Sequence, residues 1–548
     1  MSTALVKYDG SKPDSSELAV KALNYENPEI AQPGLMKRVM QALRGDEFQS
    51  TTITQGVKLA SRILVMIPAH NEAAGIRDCL EGLADQELPE DVDAMDILLI
   101  ADNCSDGTEE VARQAGLDLG LSNNLYIFST EGNKQRKVGA LNAGWALVYG
   151  NKLDSELEDI QPGEEELAYR NSVKAVLGMD ADSRLAPGAI RHLWQELRSS
   201  RDIGGVMCRY TMRLPRPKRQ LDPRDPHYEE KVASGAYGGP FSRWWTAMQK
   251  QDMAAWLLNL FHRGGSTYVL GGQASLFRPE ALAEVVNEYK LLGPWDPSTQ
   301  VEDMKLTWML QEQRWKTLVS PEARCYVDAM SGYHTFRQQR LKWDGGLVEL
   351  LTSKDDHSKT RHTGFLWRQQ LKMGMDLVVR ILFFTLLGAA LATDQFYWNW
   401  VFLAPPLVAS VLNTRLALRV PQHRTIDIVL AATLVSPETY LLVRLIGWVQ
   451  VWYRRLSVQE RDGWEAQYAA QRGETKSKLM QGTVVTMMII TGIAYAMIHF
   501  HHYLVSASVQ GAIRPYMETC FGILTVLTGF AMLAMLRQLW LLRAPYRP

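Results

Sequence analysis

Two short acidic clusters carry the first chemical signal in this chain. Residues 179–183 read MDADS, which sets Asp180 and Asp182 two positions apart, and residues 301–305 read VEDMK, which sets Glu302 beside Asp303. A single intervening residue lets one carboxylate bind a divalent cation directly while the other orients a sugar hydroxyl, a water or a ribose, the arrangement that oxygen-seeking metals on diphosphates prefer. On these residues alone two plainer readings stay open. An aspartate after a strand can satisfy loop amides, and an acidic pair opening a helix (EDMKLTWMLQEQ) complements the positive helix end.

The elements that must position these residues can be read from periodicity. RILVMIP, MDILLIAD, LYIFST and AVLGMDAD are short apolar runs ending in polar or turn residues, the pattern of buried parallel strands. Helical stretches such as AAGIRDCLEGLADQ and GTEEVARQAGLDLG separate them. Strand and helix in alternation predict an α/β, doubly wound, Rossmann-like sheet, whose ligands bind outside the carboxyl ends of the strands. Pro68 to Glu72, Asp102 to Thr108 and Asp180 to Asp182 all fall there. Two inserts interrupt the pattern, acidic DSELEDIQPGEEE and basic RYTMRLPRPKRQLDPRDP, and both read as solvated loops.

Composition excludes some functions. The 548 residues carry 59 basic and 60 acidic side chains for a net charge of −1, and without a basic excess there is no general nucleic-acid binding. Five cysteines (Cys79, Cys104, Cys208, Cys325, Cys520) are scattered and never spaced CxxC, so neither a disulfide framework nor a zinc site is expected, and a reducing compartment fits. The first thirty residues hold no apolar signal segment. From Met375 onward, however, apolar runs approach the roughly 20 residues a bilayer-spanning helix needs: LVVRILFFTLLGAALA, WVFLAPPLVASVL, IDIVLAATLVSPETYLLVRLIGWVQVW, GTVVTMMIITGIAYAMI and CFGILTVLTGFAMLAML. A soluble N-terminal half precedes a membrane half.

Taken in order, IPAHNE, LIADNCSDGT, KVGALNAGW, DADS, GGQASLFRPEAL, QVEDMKLTWML and QQRLKW form a series. It resembles the family 2 glycosyltransferases of GT-A fold, in particular the membrane-integrated cellulose, chitin and hyaluronan synthase type. The resemblance covers about residues 60–345 and the layout of helices that follow. It implies that Pro68, His70 and Glu72 line a nucleotide pocket and that Asp102 reads the base, usually uracil, although Ala101 stands where many relatives have a second aspartate. It places Lys137 and Asp180 on the donor, with Asn142 holding the lysine's loop, and Asp182 on Mg²⁺ or Mn²⁺. Asp303, with Glu302 beside it, is the implied base that takes the proton of the attacking hydroxyl, which inverting displacement requires on the face opposite the leaving group. Gly271 and Gly272 let backbone approach a sugar. In the QxxRW-like element, Gln339, Lys342 and Trp343 fill the motif positions. Trp343 is the implied acceptor platform, and Lys342 replaces the diphosphate-binding arginine, with Arg340 or Arg337 as a possible source of the missing fork.

The expected division is a polar arm with an amphipathic helix (GLMKRVMQAL) at 1–58, a catalytic domain at 59–350, an interfacial linker at 351–374 and a transmembrane domain at 375–548. Basic residues at cytoplasmic ends put the catalytic domain and both termini inside, in the inner membrane. That leaves four spans plus a re-entrant or interfacial segment near 427–452, where Pro437 interrupts the run, or five spans if the charge rule is relaxed. Asp376, Arg380, Glu438 and Arg444 at membrane depth are either functional or mutually paired. Trp244, Trp245 and Trp256 stack on sugar, lie in the bilayer interface or pack in a core. No span precedes the catalytic half, which argues against a complete secretion channel. The expected partners are a nucleotide-sugar donor, a glycan or lipid-linked acceptor and the bilayer, and an oligomer is compatible. Two alternatives remain: a polyprenyl-phosphate glycosyltransferase, and an inactive glycan-binding or export gate.

Overall fold

The computed structural model describes residues 21–22, 61–130, 132–150, 164–213, 241–353, 362–395, 400–420, 423–457, 466, 467, 469, 488, 491–493 and 495–542. The chain divides into two compact units, one built from residues 1–228, 259–329 and 352–361, the other from 229–258, 330–351 and 362–548.

In the first unit, β1 (Lys21–Ala22), β2 (Arg62–Ala69), β3 (Ala94–Asp102), β4 (Leu125–Thr130), β5 (Val173–Gly178), β6 (Arg184–Leu185), β7 (Ile203–Arg213), β8 (Ser275–Phe277) and β9 (Lys316–Asp328) form one sheet in the order β1-β4-β3-β2-β5-β8-β7-β9-β6. The four runs expected to be parallel strands are β2, β3, β4 and β5, and they do pair in parallel. β8 then runs antiparallel to both β5 and β7, so the sheet is mixed. The crossovers are α1 (Ile76–Ala84), α2 (Thr108–Asp118), α3 (Arg136–Tyr149) and α4 (Glu164–Ser172), with α5 (Ala189–Arg198) following β6. Ile63 to Ile67 and Ile97 to Ala101 are completely buried. Burial on both faces explains why these strands read as unbroken apolar runs. The α/β class is therefore as expected.

Beyond the crossovers come α6 (Ser242–Phe261), α7 (Pro279–Tyr289) and α8 (Glu302–Glu312). Trp308 anchors α8: it is 1% exposed and its indole Nε1 donates to the Tyr268 carbonyl at 3.0 Å. The basic insert differs from expectation. Its first five residues, Arg209 to Arg213, finish β7 and pair with β9. Two arginines at strand positions hid that strand, since a charge in a core strand reads as a loop until its partner is known. The rest of that insert, most of the acidic insert and the 34–43 amphipathic segment lie outside the described residues. All five cysteines are free thiols.

The second unit contains α9 (Tyr333–Thr352), α10 (Thr363–Thr393), α11 (Ala404–Arg419), α12 (Thr425–Ala432), α13 (Val435–Leu456) and α14 (Ala507–Leu541), together with the part of α6 up to Leu258. Among the described residues, α10 and α14 are long and apolar enough to cross a membrane, and α12 with α13 would make a third span if counted as one. They keep large apolar side chains outward: Ile381, Phe384, Phe530 and Leu533 are each 58% exposed or more, a surface suited to lipid rather than water. α12 and α13 meet at a 68° bend, where Leu434 takes a left-handed φ of 62°. The WVFLAPPLVASVL run forms a 3-10 turn and then the 16-residue α11, with prolines at its start. Most of the 482–498 run lies outside the described residues. Trp245 packs with Met248, Phe336, Tyr440 and Val443 in a core cluster, and the Trp244 Nε1 donates to Ser436 Oγ at 2.8 Å. Of the three readings for these tryptophans, Trp245 follows core packing.

One side chain ties the parallel half of the first unit to the loop ahead of α8. Asn142 on α3 is 4% exposed; its Nδ2 donates to the Trp295 carbonyl at 2.7 Å, and its Oδ1 accepts from the Trp295 N–H at 3.2 Å. Asn142→Ala should strand both backbone groups and lower unfolding free energy by about 1–3 kcal/mol. An unchanged thermal midpoint in detergent would show that this tie does not hold the loop.

Candidate functional site

The carboxyl ends of β2 and β5, the start of α3 and the start of α8 converge on a narrow cleft. Pro68, Lys137, Gly271, Gly272, Glu302 and Asp303 line it, with Leu141, Met179, Leu270, Phe277 and Trp295 as its apolar wall.

Lys137 lies at its centre. Its ammonium Nζ is 2.6 Å from Asp180 Oδ1 and 3.4 Å from Glu302 Oε1, with its side chain only 15% exposed. Burial opposes the charge, but the carboxylates of Asp180, Glu302 and Asp303 outweigh it and hold the Lys137 pKa above the usual lysine range. These carboxylates therefore favour the charged ammonium. Glu302 is 3% exposed, so Lys137 also answers a carboxylate that would be costly to bury unpaired. A Cβ at Gly272 would stand 2.2 Å from Lys137 Nζ, so a side chain there would displace the ammonium from its carboxylates.

Asp303 occupies the first turn of α8 and faces the glycines. Its Oδ2 accepts from the Gly272 N–H at 3.3 Å, and its Oδ1 from the Met304 N–H at 2.7 Å. The Thr307 hydroxyl donates to the Asp303 carbonyl at 2.6 Å and accepts from the Leu270 N–H at 2.7 Å, which sews the glycine loop to the helix. Gly271 offers its carbonyl to Tyr210 at 2.9 Å and to Ser275 at 2.7 Å. The helix-dipole reading of the acidic pair and a chemical role are thus compatible, since one Asp303 oxygen faces its helix and the other faces the loop.

Asp182 lies beyond Asp180, half-buried, and the backbone carbonyl of Asp182 accepts from Arg213 Nη2 at 3.2 Å. Arg213 also pairs with Asp78 and Asp328. Burial first, then the charges of Asp180 and Asp328, push the Asp182 carboxyl up to about 6, against the pull of Lys137 and Arg213. Among the described residues no group of three or more His, Cys, Asp or Glu side chains forms a ready-made metal cage. A divalent cation that takes one or two carboxylates and completes its shell with phosphate oxygens and water does not need one. Asp182, in an excess of negative charge, fits that mode of binding.

The proposed nucleotide residues surround the ends of β2 and β3. His70 is exposed and its Nδ1 donates to the Asp102 carbonyl at 2.7 Å. The Glu72 N–H donates to Thr108 Oγ1 at 2.8 Å. Asp102 is 4% exposed, and its Oδ1 accepts from Thr130 at 2.6 Å, Asn133 at 2.9 Å and Asn103 at 3.0 Å. Burial lifts the Asp102 carboxyl above the usual aspartate range, although the Thr130 and Asn133 hydrogen bonds oppose the shift. Asn133 is in turn packed against Gly139, where a Cβ would come within 2.1 Å of the amide oxygen.

Gln339, Arg340, Lys342 and Trp343 belong to α9 in the second unit. Arg340 lies under three rings, 4.8 Å from the Trp343 centroid, 5.1 Å from Phe336 and 5.6 Å from Tyr440, and its Nη2 is 3.3 Å from Asp252 Oδ2. Of the ionisable residues in the apolar half, Arg380 pairs bidentately with Glu438, at 2.8 Å to each oxygen, and Arg444 reaches Asp344 at 3.5 Å. Sequence reasoning missed Trp295, Asn133, Arg213 and Asp328. No local pattern marks them, because each acts through a strand or loop that meets the site only in three dimensions.

Comparison with known proteins follows from this geometry. The model of the glycosyltransferase-like family 2 matches residues 60–346. A search of curated proteins returns no match. Among solved structures, a mannosyltransferase from Pyrobaculum calidifontis in complex with GDP-Man and Mn²⁺ is similar at 15% identity and a TM-score of 0.40, over 78% of this chain and 95% of that one. S. aureus TarS 1–349 in complex with UDP is similar at 11% identity and a TM-score of 0.30, over 73% of this chain and 93% of that one.

The electrostatics of Asp182 set a pH signature for the metal-free protein. Its folded pKa of about 6 lies above the ordinary aspartate value of 3.8, so the folded state holds the proton more tightly. This group therefore costs stability as pH rises from about 4 through 6 and is neutral to stability below that window. Asp182→Asn should raise the thermal midpoint by about 2–4 °C at pH 7 in chelator, with the gain disappearing near pH 4. An equal gain at both pH values would show that charge repulsion is not the cause.

Proposed function

The chain belongs to the glycosyltransferase-like family 2, and on that premise we propose that it is an inverting, metal-dependent enzyme moving a sugar from a UDP-sugar to a hydroxyl of a glycan or membrane-associated acceptor. That it is a glycosyltransferase follows from the family match. The finer reading rests above all on Asp303, whose carboxylate lies on the cleft wall against Gly272, in the same cleft as the Lys137 ammonium.

In this mechanism Asp303 accepts the proton of the acceptor hydroxyl as the oxygen attacks the anomeric carbon. The bond from that carbon to the diphosphate breaks on the opposite face, which inverts the configuration. Lys137 offsets the charge that grows on the leaving diphosphate, and its three carboxylate neighbours keep it protonated for that task. Glu302 holds Lys137 in place from below. Asp180 serves the donor, and Gly271 and Gly272, which line the cleft, border the acceptor through their backbone. Asp102, with Pro68, His70 and Glu72, borders the pocket for the base. Asp182 would hold a Mg²⁺ or Mn²⁺ ion, which would supply further neutralisation of the diphosphate. In the second unit, Gln339 and Lys342 serve the donor and Trp343 the acceptor.

The long apolar helices α10 and α14 support a membrane-integrated enzyme, which on this reading is of the polysaccharide-synthase type. The basic segments around Arg415–Arg424 and after Arg537 support an inner-membrane, multi-pass placement with the catalytic domain in the cytoplasm. The domain limits and span count are those set out from the sequence.

Asp303→Asn should lower transfer by about 10²–10⁴-fold while leaving Mn²⁺-dependent binding of UDP intact. The assay is release of nucleoside diphosphate from a panel of nucleotide sugars, with oligosaccharide primers and polyprenyl phosphate as acceptors. If wild-type protein with Mn²⁺ neither hydrolyses nor transfers from any donor, the gate reading replaces this one.

A further inference from the structure

We propose that Arg340 is a positioning residue that holds the Trp343 ring, and not a ligand of the donor's diphosphate. The proposal rests on the acceptor role given to Trp343 under the proposed function.

A phosphate-binding arginine presents its planar edge, with the two-pronged fork open to oxygen. Arg340 is engaged differently. It is 8% exposed, and its guanidinium lies within 6 Å of three ring centroids, the range in which ring quadrupoles attract a cation. Two of those rings come from α9 itself, since Phe336 precedes Arg340 by four residues and Trp343 follows by three, the spacings that meet on one helix face. The third, Tyr440, comes from α13. The remaining partner is Asp252 on α6, at 3.3 Å from Nη2. That contact is ionic without hydrogen-bond geometry, and Nε and Nη2 make no hydrogen bond, so charge and ring faces are what hold the guanidinium.

Asp252 is itself fixed. It accepts the Tyr440 hydroxyl at 2.6 Å and has Arg444 at 3.9 Å. Moving Arg340 to a diphosphate would strip three rings of their cation and take from Asp252 its nearer ionic partner. The same contacts leave Trp343 half-buried with one face backed by a fixed cation, as a ring that must offer a set orientation to a sugar requires.

The test uses the full chain in detergent, with Arg340→Met, Arg340→Lys and Asp252→Asn. Affinity for UDP with Mn²⁺ is read by calorimetry, and acceptor KM and kcat by transfer assay. Arg340→Met should raise acceptor KM about tenfold with UDP affinity unchanged. Arg340→Lys should recover most of the loss, because an ammonium also sits over rings. Asp252→Asn should reproduce the split more weakly, and it decides the matter if Arg340→Met does not fold. A tenfold loss of UDP affinity in either arginine variant overturns the proposal and makes Arg340 a diphosphate ligand; so does an acceptor KM that does not move. If wild-type protein transfers no sugar, the functional reading fails by itself. The positioning claim is then judged by 5-fluorotryptophan NMR, with the Trp343 resonance assigned from Trp343→Phe. Its shift should move in Arg340→Met and return in Arg340→Lys, and a shift that stays put refutes the claim.

Discussion

One buried ammonium organises the catalytic unit. Lys137 begins α3, Asp180 follows β5 and Glu302 begins α8, and the three side chains meet only because the lysine answers both carboxylates. A carboxylate 3% exposed cannot persist without a cation. The pairing dictates what surrounds it. A side chain at Gly272 would push the Lys137 ammonium off its carboxylates, and the Gly272 N–H donates to Asp303. The candidate base is thus held by two backbone N–H groups, those of Gly272 and Met304.

Around this pair, the site is assembled from the edges of otherwise apolar elements. β2 and β3 are buried over most of their length, down to Ala69 and Asp102 at their carboxyl ends, so polar residues there must satisfy one another. Asp102 does so through Thr130, Asn133 and Asn103, and the sharp turns after β2 and β3 use Asn71 and Asn103 at φ of 56° and 49°, a conformation asparagine tolerates better than most side chains. On the other flank, Arg213 at the end of β7 and Asp328 at the end of β9 are register partners, and they bring an ion pair beside Asp182. Lys137 and Arg213 lie among these carboxylates, which keeps the cluster compatible with folding before any cation arrives.

The second unit solves a different problem, that of charge among apolar helices. Arg380 with Glu438, and Arg340 and Arg444 with Asp252, are paired between helices distant in sequence. Of the two readings offered for ionisable residues at this depth, mutual pairing describes Arg380 and Glu438. Asp376 meets Lys372 instead, one helical turn away. Exposed apolar side chains along α10 and α14 complete the description of a surface that water would not stabilise.

The sequence by itself determined the α/β class, the four parallel strands and the placement of Asp102 and Asp180 at strand ends. Each rests on a local pattern: unbroken apolar runs and the polar residues that stop them. It also determined that α10 and α14 would be long and apolar, because a membrane-length run needs no partner to be recognised. The tertiary structure alone decided which carboxylates Lys137 would answer, that a side chain at Gly272 would displace its ammonium, that Arg209 to Arg213 continue a strand, and that Arg340 would be enclosed by Trp343, Phe336, Tyr440 and Asp252. Those outcomes join residues scores of positions apart, and a buried charge shows its partner only after the chain has closed around it.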